Sequence, residues 1–320
     1  MAKVLITGVA GFIGSHLAHE LVKQGNEVFG IDNLSTGREE NLLGLPNDVL
    51  IKGDYSDSEL LEPLMEECDV VYHLAASVGV KLVVDFPIEA IESNVTGIIN
   101  VLRAANKYSK KIFIASSSEV YGKGDGRYLN EQDNLSLGNP KVLRWGYGCS
   151  KLMAEYLAMS YYKKEKLPVV IGRFFNICGP RQTGHYGMVV PRFIMSALEN
   201  KPIVVYGDGS QTRSFTYIDD ALNAIIKLMH EKHTDGEIFN IGNPKDITIQ
   251  DLAILIKKVT GSSSPIVNVP YTDIYGNDFE DTHYRAPDIS KITKAIGFKP
   301  KIDLEEMIKR TAEFWKGKIK

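Results

Sequence analysis

Glycines at positions 8, 11 and 14 follow directly on the short apolar run of residues 4–7, and they restrict this chain more than any other feature. The segment Thr7-Gly8-Val9-Ala10-Gly11-Phe12-Ile13-Gly14 leads into a stretch, residues 12–23, whose apolar positions recur at helical spacing. A strand that turns this tightly into a helix needs backbone conformations that a Cβ obstructs. The helix amino terminus so formed favours a diphosphate, which it approaches through backbone N–H groups. The same rhythm continues downstream. Strand-length apolar runs at residues 28–31, 49–52, 70–73, 112–115 and 169–172 are separated by helical patterns at 58–65, 88–107 and 147–164. Strands that alternate with crossover helices predict an α/β fold, a doubly wound parallel sheet of the Rossmann type.

After Pro180 the elements shorten and are broken by Gly207-Asp208-Gly209, by Asn243-Pro244 and by Gly261 with three serines behind it. Helical patterns return at 216–232, 248–259 and 304–316. The expected organisation is a nucleotide-binding domain over residues 1–180 and a smaller, dependent C-terminal α/β lobe over residues 181–320 that binds substrate. Their cleft lies beyond the carboxyl ends of the strands. Asp32 ends the second strand, about 20 residues past the glycine turn, where a carboxylate accepts hydrogen bonds from adenosine ribose hydroxyls and repels a 2′-phosphate. NAD is therefore expected over NADP, with Arg38 the one nearby cation that would favour the phosphate. Asp54, after the third strand, has the spacing to meet the adenine or to be an ordinary turn aspartate.

Charge and composition exclude several classes. Lys and Arg total 37 against 40 Asp and Glu, a formal charge of −3 without a basic stripe, so nucleic acid is not an expected partner. No apolar run reaches the length of a membrane span, and the apolar start after Met1-Ala2-Lys3 is too short for a signal sequence. Cys68, Cys149 and Cys178 form no CxxC pair, which fits a reducing, cytoplasmic setting and no metal site.

Tyr147 and Lys151 stand four apart and share one face of a helix. A tyrosine with its ordinary pKa of about 10 is mostly protonated at neutral pH, and an adjacent ammonium lowers that value by favouring the phenolate. Such a pair can take a hydroxyl proton while a nicotinamide accepts the hydride.

Taken with these residues, several further segments are similar to the extended short-chain dehydrogenase/reductase family, in its branch of nucleotide-sugar epimerases, dehydratases and decarboxylases. They are Asp32-Asn33, His73-Leu74-Ala75-Ala76, Ser116-Ser117-Ser118-Glu119-Val120-Tyr121-Gly122, Arg173-Phe174-Phe175-Asn176, Gly179-Pro180, residues 206–213 and Arg285-Ala286-Pro287-Asp288. The resemblance implies a tightly held NAD, reduced and reoxidised in each turnover, in contact with Gly8, Gly11, Phe12, Ile13, Gly14, Asp32, Asn33, Asp54, Ala75 and Lys151. It makes Tyr147 the base that oxidises the sugar at C4, with Lys151 tuning it and Ser117 bonding the C4 oxygen. It assigns Asn176, Arg213 and Arg285 to the sugar nucleotide, and it implies a homodimer built on helices 88–107 and 147–164.

The fate of the C4 ketone depends on the residues after Ser117. The 4,6-dehydratases that this segment resembles carry Thr-Asp-Glu, and here Ser118 replaces the acid, a poor proton donor at neutral pH. UDP-glucuronate decarboxylases resemble the segment more closely, and a C4 ketone makes glucuronate a β-keto acid that loses carbon dioxide without a metal. In that reading Glu119 assists proton movement at C5 and Arg285 steadies the sugar or its carboxylate. Residues 278–301 and Arg144-Trp145 also resemble the bacterial decarboxylases of lipid A modification. The residues Val189-Val190-Pro191-Arg192-Phe193 look more like those of UDP-hexose 4-epimerases, which keeps that reaction open. A non-catalytic NAD-binding protein is a further reading, against which Tyr147, Lys151 and Ser117 all stand.

Overall fold

The computed structural model describes residues 1–124, 128–184, 187–275 and 280–318. Its centre is a seven-stranded parallel sheet built from β1 (Lys3–Thr7), β2 (Glu27–Asp32), β3 (Leu50–Lys52), β4 (Val70–His73), β5 (Lys111–Ser117), β6 (Val169–Phe174) and β7 (Glu237–Ile241), in the order β7-β6-β5-β4-β1-β2-β3. The chain runs outward from β1 to β3 and then crosses back to β4 on the other side of β1. That reversal opens a crevice at the carboxyl ends of β1 and β4, where Thr7 is in register with both Ile31 and His73. Six of these strands coincide with the apolar runs read in the sequence. The seventh comes from the second half of the chain and closes the sheet beside β6, so the two halves share one sheet.

Helices α1 (Phe12–Lys23), α2 (Ser58–Glu67), α3 (Pro87–Lys107) and α4 (Trp145–Glu165) follow the strands. The second half adds α5 (Val189–Leu198), α6 (Ile218–His230), α7 (Ile249–Thr260) and α8 (Leu304–Lys316). Local chemistry sets several ends. Asp57 caps α2 through the N–H of Glu59, Thr248 caps α7 through that of Asp251, and Asp303 caps α8 through that of Glu306.

Strand residues feed two apolar layers in alternation. Leu5, Val71, Ile112 and Ile114 pack with Met65, Val101, Leu102 and Ala158 on one face, whereas Val4, Ile6 and Val170 pack with Leu17, Leu21 and Ile225 on the other. The second layer continues unbroken to Val205, Leu252 and Met307, which seats the C-terminal lobe on the sheet's own core.

Candidate active site

A cavity of about 520 Å³ runs along the carboxyl ends of the strands and into the space under the second lobe. At one end it is lined by Gly8, Gly11, Phe12, Ile13, Gly14, Asp32, Asn33 and Ala75. Gly8 adopts φ +76°, and a Cβ there would stand 2.9 Å from the Ala75 backbone nitrogen, so only glycine lets the turn lie against the chain leaving β4. That approach is fixed from behind by Thr7, whose hydroxyl meets His73 Nδ1 at 2.8 Å and accepts from the Ala75 N–H at 3.3 Å. Gly11 stands at the N-cap of α1 and, having no side chain, leaves the first-turn N–H groups to a ligand.

Asp32 receives the N–H groups of Ala10 at 2.9 Å and Leu34 at 2.8 Å, one on each carboxylate oxygen. Each oxygen retains a further lone pair for a ribose hydroxyl. Burial pushes this carboxyl upward, partly offset by its backbone donors. Arg38 faces Glu40 at 3.5 Å. Asp54 does not line the cavity. It accepts the Asn33 amide at 2.9 Å and caps the turn at Ser56, which makes it a support for Asn33. Glycine turn, uncapped helix end and ribose-side carboxylate together fit the diphosphate and adenosine parts of a dinucleotide.

Farther along, Ser117, Tyr147 and Lys151 line the same cavity. Ser117 ends β5, and Tyr147 and Lys151 are brought to it by the first turns of α4. The packing that allows this is close: a Cβ on Gly148 would come within 2.6 Å of the Glu119 carbonyl oxygen. The Ser117 hydroxyl bonds Tyr147 and favours its phenolate. The Lys151 ammonium is buried and donates to the Ala115 carbonyl at 2.9 Å, and burial lowers its pKa to about 8. The structure corrects one expectation. Burial and then the Glu119 carboxylate raise the Tyr147 pKa above that of free tyrosine, while Ser117 and Arg285 oppose the rise; an i, i+4 spacing alone does not make the phenol acidic.

The sugar end is a charged cluster. Glu119 places Oε1 on Arg285 and Oε2 on Arg144 Nη2 at 3.1 Å. Arg144 continues to Asp281 at 2.7 Å, and Asp281 to Arg213 at 2.8 Å. Asp281 also accepts the Tyr271 hydroxyl at 2.7 Å. Burial alone would raise the Glu119 pKa, but Arg285, Arg144 and Arg213 outweigh it and hold the carboxyl down at about 2. Arg213 and Arg144 hold Asp281 well below the usual carboxylate range in the same way, against its burial. Asn176, in a left-handed backbone conformation at φ +40°, ties the lobes together through its amide, which donates to the Ser214 carbonyl at 2.8 Å.

Thus the structure brings the sequence-identified Ser117, Glu119, Tyr147, Lys151, Asn176, Arg213 and Arg285 into one cavity. Of the stretch at 278–301, residues 278 and 279 lie outside the described residues. Sequence reasoning assigned no role to Arg144, Asp281 or Tyr271. Their partners lie far along the chain, 137 positions for Arg144 to Asp281 and 68 for Arg213 to Asp281, with no local pattern to join them.

The doubly wound sheet, the glycine turn and the Ser-Tyr-Lys group on one cleft define an extended short-chain dehydrogenase/reductase. Residues 5–311 match the GDP-mannose 4,6 dehydratase family, and the chain belongs to that family of sugar-nucleotide enzymes. It is 44% identical over 318 residues to a UDP-N-acetyl-alpha-D-glucosaminuronate decarboxylase of Bacillus cytotoxicus, covering 98% of each chain. It is 37% identical to UDP-glucuronic acid decarboxylase 1 of Arabidopsis thaliana, covering 99% of this chain and 70% of that one. Among solved structures, it is similar to UDP-glucuronic acid 4-epimerase of Bacillus cereus in complex with UDP-glucuronic acid and NAD, with a TM-score of 0.88, 30% identity and coverage of 99% and 100%.

Proposed function

We propose that the protein is an NAD-dependent decarboxylase of a UDP-linked hexuronate, UDP-glucuronate or its 2-acetamido counterpart. The observation that carries this reading is the charge at the sugar end, where three buried guanidiniums, Arg144, Arg213 and Arg285, surround two carboxylates, Glu119 and Asp281. The surplus positive charge suits a substrate that brings a carboxylate as well as a diphosphate. The named decarboxylase relatives support the same choice.

NAD, when bound, supplies the acceptor and later the donor of the hydride. Tyr147 takes the C4 hydroxyl proton in its phenolate form, which the Ser117 hydrogen bond and Arg285 favour against burial, and Ser117 steadies the C4 oxygen as it becomes a carbonyl. The C5–C6 bond then breaks, releasing carbon dioxide and leaving its electron pair on C5 and the C4 oxygen. Arg285 holds the departing carboxylate, and C5 takes up a proton from water that the ionised Glu119 carboxylate orients. Once C4 is reduced again, the proton held by Tyr147 goes to the C4 oxygen and restores the hydroxyl.

The test is incubation with UDP-glucuronate, UDP-N-acetylglucosaminuronate, UDP-glucose and UDP-N-acetylglucosamine separately, with proton NMR and carbon dioxide measurement. A UDP-pentose, or its acetamido equivalent, with stoichiometric carbon dioxide is expected. A C4 epimer of unchanged mass would replace the reading with a 4-epimerase, and loss of water without carbon dioxide with a dehydratase.

The same proposal includes a homodimer through α3 and α4, on which Ile88, Met153 and Tyr156 are 67%, 53% and 66% exposed. A cytoplasmic setting goes with it, supported by three unpaired cysteines.

A further inference from the structure

Glu119 divides its two oxygens between two arginines that are held very differently. Arg144 is buried and fixed on several sides: Nη1 donates to the Glu280 carbonyl at 2.6 Å and to Asp281 at 2.7 Å, Nη2 donates to Glu119, and the guanidinium lies over the Trp145 ring with 4.8 Å to its centroid. Arg285 is buried too, but its one described side-chain bond goes to Glu119. A substrate carboxylate entering this cavity offers Arg285 the same chemistry that Glu119 does. For the exchange to occur, Glu119 must remain neutralised, because a buried carboxylate stripped of its counter-charge resists the change strongly.

We propose that Arg144 is a positioning residue for recognition of the sugar acid: it is the standing counter-ion of Glu119 that lets Arg285 leave Glu119 for the substrate carboxylate. The proposal rests on the decarboxylase reading above. It makes Arg144 act through Glu119 and Arg285, without moving a proton itself. It also explains why an arginine is needed there, since only a fork of donors can satisfy Glu119, Asp281 and the Glu280 carbonyl at once.

The experiment compares two ligands that differ at C6 alone, UDP-glucuronate and UDP-glucose. Their affinities for the NAD-loaded protein are measured by calorimetry in a Tyr147→Phe background, which blocks turnover during the titration. The parent is expected to prefer UDP-glucuronate. Arg144→Met should weaken UDP-glucuronate by about tenfold or more while changing UDP-glucose by less than about twofold. Adding Glu119→Gln to Arg144→Met should restore the preference, because a neutral amide no longer holds Arg285. Arg144→Lys, which keeps the charge without the fork, should fall between. Glu119→Gln alone should tighten UDP-glucuronate, a readout that stands even where Arg144→Met does not fold. The proposal is overturned if Arg144→Met keeps the preference or loses both ligands equally, if the double variant does not recover it, or if Glu119→Gln alone weakens the acid. A parent with no preference for the acid removes the decarboxylase reading and this proposal with it.

Discussion

Lys151 shows how far a single residue can be read from its neighbours in sequence. Its spacing from Tyr147 puts it on the helix face that lines the cavity, but its charge state is decided by burial, and its ammonium is anchored on the Ala115 carbonyl, 36 positions away. Burial lowers its pKa from the ordinary 10.5 to about 8, with Glu155 acting in the other direction. Between these values the unfolded chain holds a proton that the folded chain has released, so stability contributed by this residue rises as pH increases from about 8 to about 10.5. Activity moves the opposite way. If the ammonium tunes Tyr147 and holds cofactor, kcat/KM falls as pH rises through about 8. Denaturant melts at about pH 7 and about pH 9.5, beside a pH–rate profile, check both; Lys151→Met should flatten the stability difference, and a difference of the reverse sign in the wild type contradicts the assignment.

At the level of elements, α4 is the part on which the site depends. Tyr147, Lys151 and Glu155 recur every fourth residue and lie on one face. The third anchors the other two. Glu155 pairs with Arg173 of β6 at 2.7 and 2.9 Å and accepts the Ser116 hydroxyl of β5 at 2.5 Å, all out of solvent. Glu155→Ala strands a buried guanidinium, and we expect a loss of about 3–5 kcal/mol in denaturant melts, together with reduced turnover as Tyr147 loses its seat. A loss below about 1 kcal/mol would mean that Arg173 finds another partner. The helix itself was legible, at 147–164 against Trp145–Glu165, because helical residue spacing is a local property. The Glu155–Arg173 pair was not, since either residue alone reads as a surface charge.

Over the molecule as a unit, α3 and α4 are covered by the sheet on one side and present Ile88, Met153 and Tyr156 on the other. Light scattering is expected to give about twice the 35.6 kDa chain mass, and a Met153→Glu, Tyr156→Glu double variant should return it to one chain; an unaltered monomer in the wild type rejects the dimer. Local and global information also separate here. The parallel sheet, the succession of its first six strands, the glycine turn, Asp32 and the Tyr147–Lys151 pair were all legible in the amino acids, because strand and helix periods, turn conformations and i, i+4 faces depend on neighbouring residues. Folding alone established that β7 closes the sheet from the second half, that Asp54 supports Asn33, and that Glu119, Arg144, Asp281, Arg213 and Arg285 form one chain of charges. Those outcomes depend on which distant groups are buried together, and at close range in a medium that screens poorly the pairing of charges, more than the identity of any one of them, sets their chemistry.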